Sequence, residues 1–169
     1  MNQTNQDNTI ADYFKSSKIL FGAFILGVIN FGLVLMVLFF MDALPLANFD
    51  ADLTIYFIIA SLVIFLGMYY VGNFVFKNKT TNVKDDQSFS KKLSEYRYAK
   101  LIQAVTMEAS ALVAMVLVMI NTHVFFLVIA LLSLLQMIRI FPKKQEMIDS
   151  LNLSYSEQQK LNNPEFRLD

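Results

Sequence analysis

The sequence predicts an all-α fold: a polytopic membrane protein with four transmembrane helices in an antiparallel bundle and a short cytoplasmic C-terminal helical tail. Three observations carry that prediction. The 169-residue chain is 56% hydrophobic and only 17% charged, with a mean hydropathy of +0.48, too apolar for an ordinary soluble domain. Its apolar residues gather in four long runs. Its Lys and Arg residues fall on one side of those runs.

Residues 1–18 form a predicted cytoplasmic N-terminal segment carrying Lys15 and Lys18. Ile19 to Met41 is uncharged and broken only by Asn30 and three glycines, long enough for a hydrocarbon core that needs about 20 residues. The sequence Ala43-Leu-Pro-Leu-Ala47 after it offers small residues for a signal cleavage site, but the run exceeds the roughly 7–15 residues of a signal h-region. Leu53 to Phe76 is the second span. The third and fourth, 101–120 and 124–141, are separated by Asn121, Thr122 and His123 alone. So short a connection makes them antiparallel neighbours that insert as a hairpin. The transmembrane domain is therefore 19–141, with a cytoplasmic loop and helical stem over 77–100.

Orientation follows from the basic residues. Lys77, Lys79, Lys84, Lys91, Lys92, Arg97 and Lys100 lie between spans two and three, and Arg139, Lys143, Lys144, Lys160 and Arg167 close the chain. The Asp42 to Asp52 connection and the Asn-Thr-His turn hold neither Lys nor Arg. The positive-inside rule places both termini and the middle loop in the cytoplasm. Within that loop, 78–90 is expected to be irregular, with a helix beginning near Ser90 and running into span three. Lys91, Lys92, Arg97 and Lys100 read as a solvated stem facing anionic headgroups.

The tail covers 142–169. Pro142 suits a first helical position or a kink, and Met147, Ile148 and Leu151 make an apolar edge that either lies on the membrane or docks on the stem. Ser154-Tyr-Ser-Glu157 fits a capping box opening a short helix to about Leu161. The residues beyond it read as unstructured.

Several functions are excluded by composition. There is no cysteine and one histidine, which removes disulfides, thiolate metal sites, bis-histidine haem and thiol nucleophiles. No Ser, His and Asp set occurs inside the spans, so an intramembrane hydrolase is not expected. Zero net charge says nothing about a nucleic-acid partner, but binding one would need a larger basic excess than Lys91, Lys92, Arg97 and Lys100 supply, so none is expected. No cofactor or metal is predicted; Met107, Met115 and Met119 read as packing.

One feature demands explanation. Glu108 is the only acid inside the spans, and a charged side chain there costs roughly 2.5–3.5 kcal/mol on insertion scales. A helical rise of about 1.5 Å per residue puts it roughly 10 Å into the core. Gln136 falls at the same depth, Arg139 about one turn nearer the cytoplasm and long enough to approach the carboxylate or to snorkel outward, and Tyr69 and Tyr70 close by. These five form a candidate intramembrane polar cluster. In one reading Glu108, ionised against Arg139 or protonated on Gln136, fixes helix register with close packing through Ala104, Ser110, Ala111 and Ala114. In a second it serves a small proton- or cation-coupled transporter. In a third it faces a partner helix, either another membrane protein or a second copy. The favoured expectation is a non-enzymatic bundle or accessory/assembly subunit with the bilayer as its environment; the transporter is the alternative.

Lys92-Leu-Ser-Glu-Tyr-Arg97, Met107-Glu-Ala-Ser-Ala111, Arg139-Ile-Phe-Pro142 and Ile148-Asp-Ser-Leu-Asn-Leu-Ser154 together resemble an uncharacterised family of small four-span bacterial inner-membrane proteins. The resemblance covers roughly the second half of the chain. It implies a bacterial inner membrane and no established activity. The chain departs from that family's pattern at Ala109, where glycine is usual, and at Phe141-Pro-Lys143, where Arg-Pro-Thr is usual.

Overall fold

The computed structural model describes residues 9–43, 50–83, 87–121 and 123–168. The candidate cleavage residues 44–47, Thr122 and the acidic pair Asp85-Asp86 lie outside them. Six helices follow one another: α1 (Ile10–Phe40), α2 (Ala51–Thr81), α3 (Phe89–Ile120), α4 (Val124–Ile140), α5 (Lys144–Leu151) and α6 (Tyr155–Asn162). Among the described residues the only β pairing is an isolated bridge between Thr9 and Arg167.

α1 begins well before the apolar run. Thr9 caps it by accepting from the Asp12 backbone N–H at 3.2 Å, and Ile10, Tyr13, Ser17 and Phe21 fall on one buried stripe at helical spacing. The N-terminal segment is thus helical from Ile10 and continuous with the first span. α2 also overshoots its predicted end. Residues 78–81, expected in a loop, stay helical; Thr80 is buried and Lys79 pairs with Glu95 of α3 at 3.5 Å. Tertiary contact outweighs a polar composition there. α3 starts at Phe89 beneath a Ser88 cap, within a residue of expectation.

The remaining ends follow local chemistry. His123 Nδ1 accepts from the Phe125 N–H at 3.3 Å and caps α4. α4 and α5 are bent by 76° across the segment containing Pro142, whose ring cannot continue the hydrogen-bond ladder. α5 closes on Asn152 in the left-handed region, φ 47°, a conformation asparagine tolerates. The Ser154–Glu157 capping box that opens α6 is fully formed.

α1, α2 and α3 are each long and apolar enough to cross a membrane; α4, at 17 residues, reaches that only together with α5. Only 11% of the apolar window is buried in α1 and α2, against 44% in α3, so α3 is the central helix. α1 runs parallel to it: Tyr13 Oη donates to the Leu93 carbonyl, Arg97 donates to Ser16 Oγ, and Gly27 and Gly32 lie against Glu108 and Met115. The other two neighbours run antiparallel. α2 is held by Asn73–Gln103 and Thr54–Asn121 hydrogen bonds, each 2.9 Å, and α4 by Ser133–Ser110 at 3.2 Å.

Two apolar cores result. One lies in the membrane half, around Val28, Met107, Ala111 and Ile129. The second sits at the end where α1 and α3 begin, built from Ile10, Tyr13, Leu93, Tyr96, Met147 and Leu161. The tail therefore docks on the stem. Its final residues, expected to be unstructured, are ordered: Phe166 meets the Phe89 ring at 6.1 Å.

Candidate functional site

Glu108 sits on the side of α3 that faces α1, while its neighbour Met107 turns into the core. A methyl group built on Gly27 would lie 3.8 Å from Glu108 Oε1, an ordinary van der Waals contact, so the carboxylate lies beside α1 at this glycine. Gly27 is exposed on the far side of that contact, as is Asn30 one turn along α1. No hydrogen bond joins the Asn30 side chain to another helix among the described residues. Among the described residues no hydrogen bond or ion pair reaches the Glu108 side chain.

The other members of the predicted cluster lie elsewhere. Gln136 is half-buried and Arg139 exposed on α4. Tyr69 and Tyr70 are on the outer surface of α2, Tyr70 stacked on Phe74 at 6.3 Å. No hydrogen bond or ion pair among the described residues joins any two of the five. The depth arithmetic for Gln136 agrees with the Ser133–Ser110 level. The direction round the helix differs: α4 meets α3 on the Met107–Ser110 face, and Glu108 looks toward α1. The small residues behave as expected, since Ala104, Ser110, Ala111 and Ala114 are all buried at the helix contacts.

Polar pairing inside the membrane half falls on different residues. Gly72 lets α2 approach so closely that a methyl group there would lie 2.6 Å from Thr106 Oγ1 and 3.3 Å from the Gln103 Cα. Beside it Gln103 donates to Asn73, and Asn73 donates to the Tyr69 carbonyl. These groups stitch α2 to α3 as polar side chains do in membrane bundles.

The basic stem is the largest departure from the sequence reading. Lys92 and Lys100 are not solvated; they are 3% and 2% exposed. Lys92 Nζ pairs with Glu157 Oε1 of α6 at 2.9 Å. Lys100 pairs with Glu146 of α5 and lies 4.5 Å above the Phe76 ring, and Tyr96 Oη donates to the second Glu146 oxygen at 3.3 Å. Burial alone pushes the Glu157 carboxyl up, but hydrogen bonds from Lys92 and Ser154 outweigh it and hold the group below the usual range. Each tail helix is thus anchored by one buried ammonium of the stem. The partners are remote in sequence, and only the three- and four-residue spacing of Leu93, Tyr96 and Lys100 signals that this face is buried.

The two ends of the described chain meet at the same place. The first free N–H groups of α1 are satisfied by the tail, Ile10 N–H by the Phe166 carbonyl and Ala11 N–H by that of Pro164, both at 3.0 Å. Helix starts leave such donors without intrahelical partners. No group of three or more His, Cys, Asp or Glu that could hold a metal occurs among the described residues.

No protein-family model, curated protein or solved structure matches the chain.

Proposed function

We propose that this is a four-span protein of the bacterial cytoplasmic membrane, with both termini in the cytoplasm, acting as a non-enzymatic accessory or assembly subunit. Closure of the tail on the start of α1 supports an even number of crossings, because both ends then share one side. With α1, α2 and α3 crossing, α4 is the fourth; its 17 residues span roughly 25 Å, at the short end of the range for a crossing. The one-sided Lys and Arg distribution supports a cytoplasmic cap. The resemblance of the second half to small four-span bacterial proteins supports the choice of membrane.

The observation that carries the assembly role is Glu108 at the α1–α3 seam beside the exposed Gly27, with no partner among the described residues. A carboxylate at this depth is costly unless it is paired, and small residues beside it allow another helix to approach closely. Purification of the full chain in mild detergent is expected to yield a stable complex that Glu108→Ala dissociates while leaving the helical content unchanged. A parent that runs as a clean monomer contradicts the reading. So does a proton-coupled flux in reconstituted vesicles that Glu108→Gln abolishes, which would assign the site to transport.

A further inference from the structure

The four spans contain one acid, Glu108, and one base, Arg139, and neither has a hydrogen-bond or ion-pair partner among the described residues. They do not pair with each other within the chain. Glu108 faces the α1 seam, whereas the stripe that α4 turns to α3 is Phe126, Ile129, Ala130, Ser133 and Met137. At 100° per residue Arg139 lies about 200° round from Met137, on the outer face with the exposed Leu132 and Leu135.

We propose that Glu108 of one copy pairs with Arg139 of a neighbouring copy, so that the partner at the assembly site is this chain itself. The inference rests on the assembly reading above and adds the identity of the partner. Taking the Ser133–Ser110 hydrogen bond as a common level, Arg139 stands about one turn, roughly 6 Å, from the depth of Glu108. Copies inserted in the same direction keep those depths. Long helical side chains lean toward the start of their own helix, and α3 and α4 run in opposite directions. The carboxylate and the guanidinium therefore lean toward each other's level, within reach of two long side chains. Exposed aliphatic groups of the α4 face would cover Gly27 and Val105 around the pair and exclude lipid. Pairing in a dry surround, with arginine's fork on a carboxylate, is geometrically specific.

The two groups lie on different faces, so the contact is heterologous. A two-fold dimer would need both groups within one self-complementary patch, and they lie on different faces. A head-to-tail contact instead closes into a ring or continues along the membrane plane.

Native mass spectrometry of the full chain in nanodiscs tests the pairing. The parent is expected to be oligomeric, Glu108→Gln and Arg139→Gln each to lose the oligomer, and the double reversal Glu108→Arg with Arg139→Glu to regain it. A second measurement does not depend on reversed charges folding. The chain has no cysteine, so copies carrying Val105→Cys and copies carrying Leu135→Cys can be mixed and oxidised. A crosslink in the mixture and none in either variant alone is expected. Self-crosslinking of Val105→Cys alone, or an oligomer indifferent to Arg139→Gln, overturns the inference. If Glu108→Gln dissociates a complex with a different protein while Arg139→Gln does nothing, the copy-to-copy pairing fails and the assembly role stands. A monomeric parent defeats both.

Discussion

Replacing Glu157 with alanine is expected to release α6 and the end of the chain from the stem, at a cost of about 3–5 kcal/mol. The magnitude follows from burial. Side-chain exposure at the Lys92–Glu157 pair is 4% and 14%, so removing the carboxylate leaves an ammonium out of water with nothing to balance it. The Glu157 arm of the capping box, which accepts from the Ser154 N–H at 2.8 Å, is lost as well, while Ser154 Oγ still accepts from the backbone N–H of residue 157. Hydrogen exchange of α6 should rise to the level of open chain while α2 and the membrane half of α3 keep their protection. Substituting both members with methionine should recover most of the loss, because an apolar pair of similar size avoids the desolvation cost. A change below about 1 kcal/mol for Glu157→Ala, the level of an exposed surface pair, would mean that Lys92 finds water in solution.

The same pair sets a pH signature of known sign. Glu157 titrates lower in the folded protein than its ordinary value, which is about 4.3 in an unfolded chain. Its contribution is complete above that value and disappears as pH falls through the lower folded-state value. Docking of α6 should hold constant from neutrality to about pH 5 and weaken only in more acid solution.

The second large effect is expected at Gly72. Valine there must displace Thr106 and the Gln103 backbone, since a methyl group already comes within 2.6 Å and 3.3 Å of them. Overpacking of this kind costs about 1–3 kcal/mol. Separation of α2 and α3 also stretches the Asn73–Gln103 bond, worth roughly 0.6 kcal/mol in a membrane bundle. Gly67 is the internal control. Nothing lies within 4 Å of a methyl group there, so Gly67→Ala should be neutral or gain up to about 1 kcal/mol from helix propensity. Thermal unfolding in detergent reads both, and equal midpoints for Gly72→Val and the parent would contradict the close approach.

What the sequence made legible is what depends on near neighbours or on distance along a helix. The Ser154–Glu157 box, the α3–α4 hairpin and the start of α3 come from residues a few positions apart, and their chemistry is local. Relative level along paired helices also reads from helical rise, and the Ser133–Ser110 hydrogen bond sets Gln136 near the level of Glu108. Direction round the helix does not. It depends on which helices flank α3, and Glu108 lies on the side of α3 that meets α1 at Gly27.

The buried lysines illustrate a second limit. Lys92 and Lys100 continue the stripe of Leu93 and Tyr96, yet lysine on a stem next to the membrane is ordinarily solvated. Their partners Glu157 and Glu146 are brought back only by the bend at Pro142. The helical start of α1 was within reach, since Ile10, Tyr13, Ser17 and Phe21 carry the spacing. A polar N-terminal segment beside an obvious apolar run hides a stripe that extends the run backward.

The central claim is that the chain crosses the membrane four times and closes its two ends together on the cytoplasmic side. Single cysteines in the cysteine-free chain, labelled by a membrane-impermeant maleimide in right-side-out and inverted vesicles, test it most directly. Lys15→Cys, Asn82→Cys and Asn163→Cys should react only from the cytoplasmic face, and Asp50→Cys and His123→Cys only from the opposite one. Labelling of Asn163→Cys from the face opposite Lys15→Cys would contradict the four crossings and the closure of the tail on α1 together.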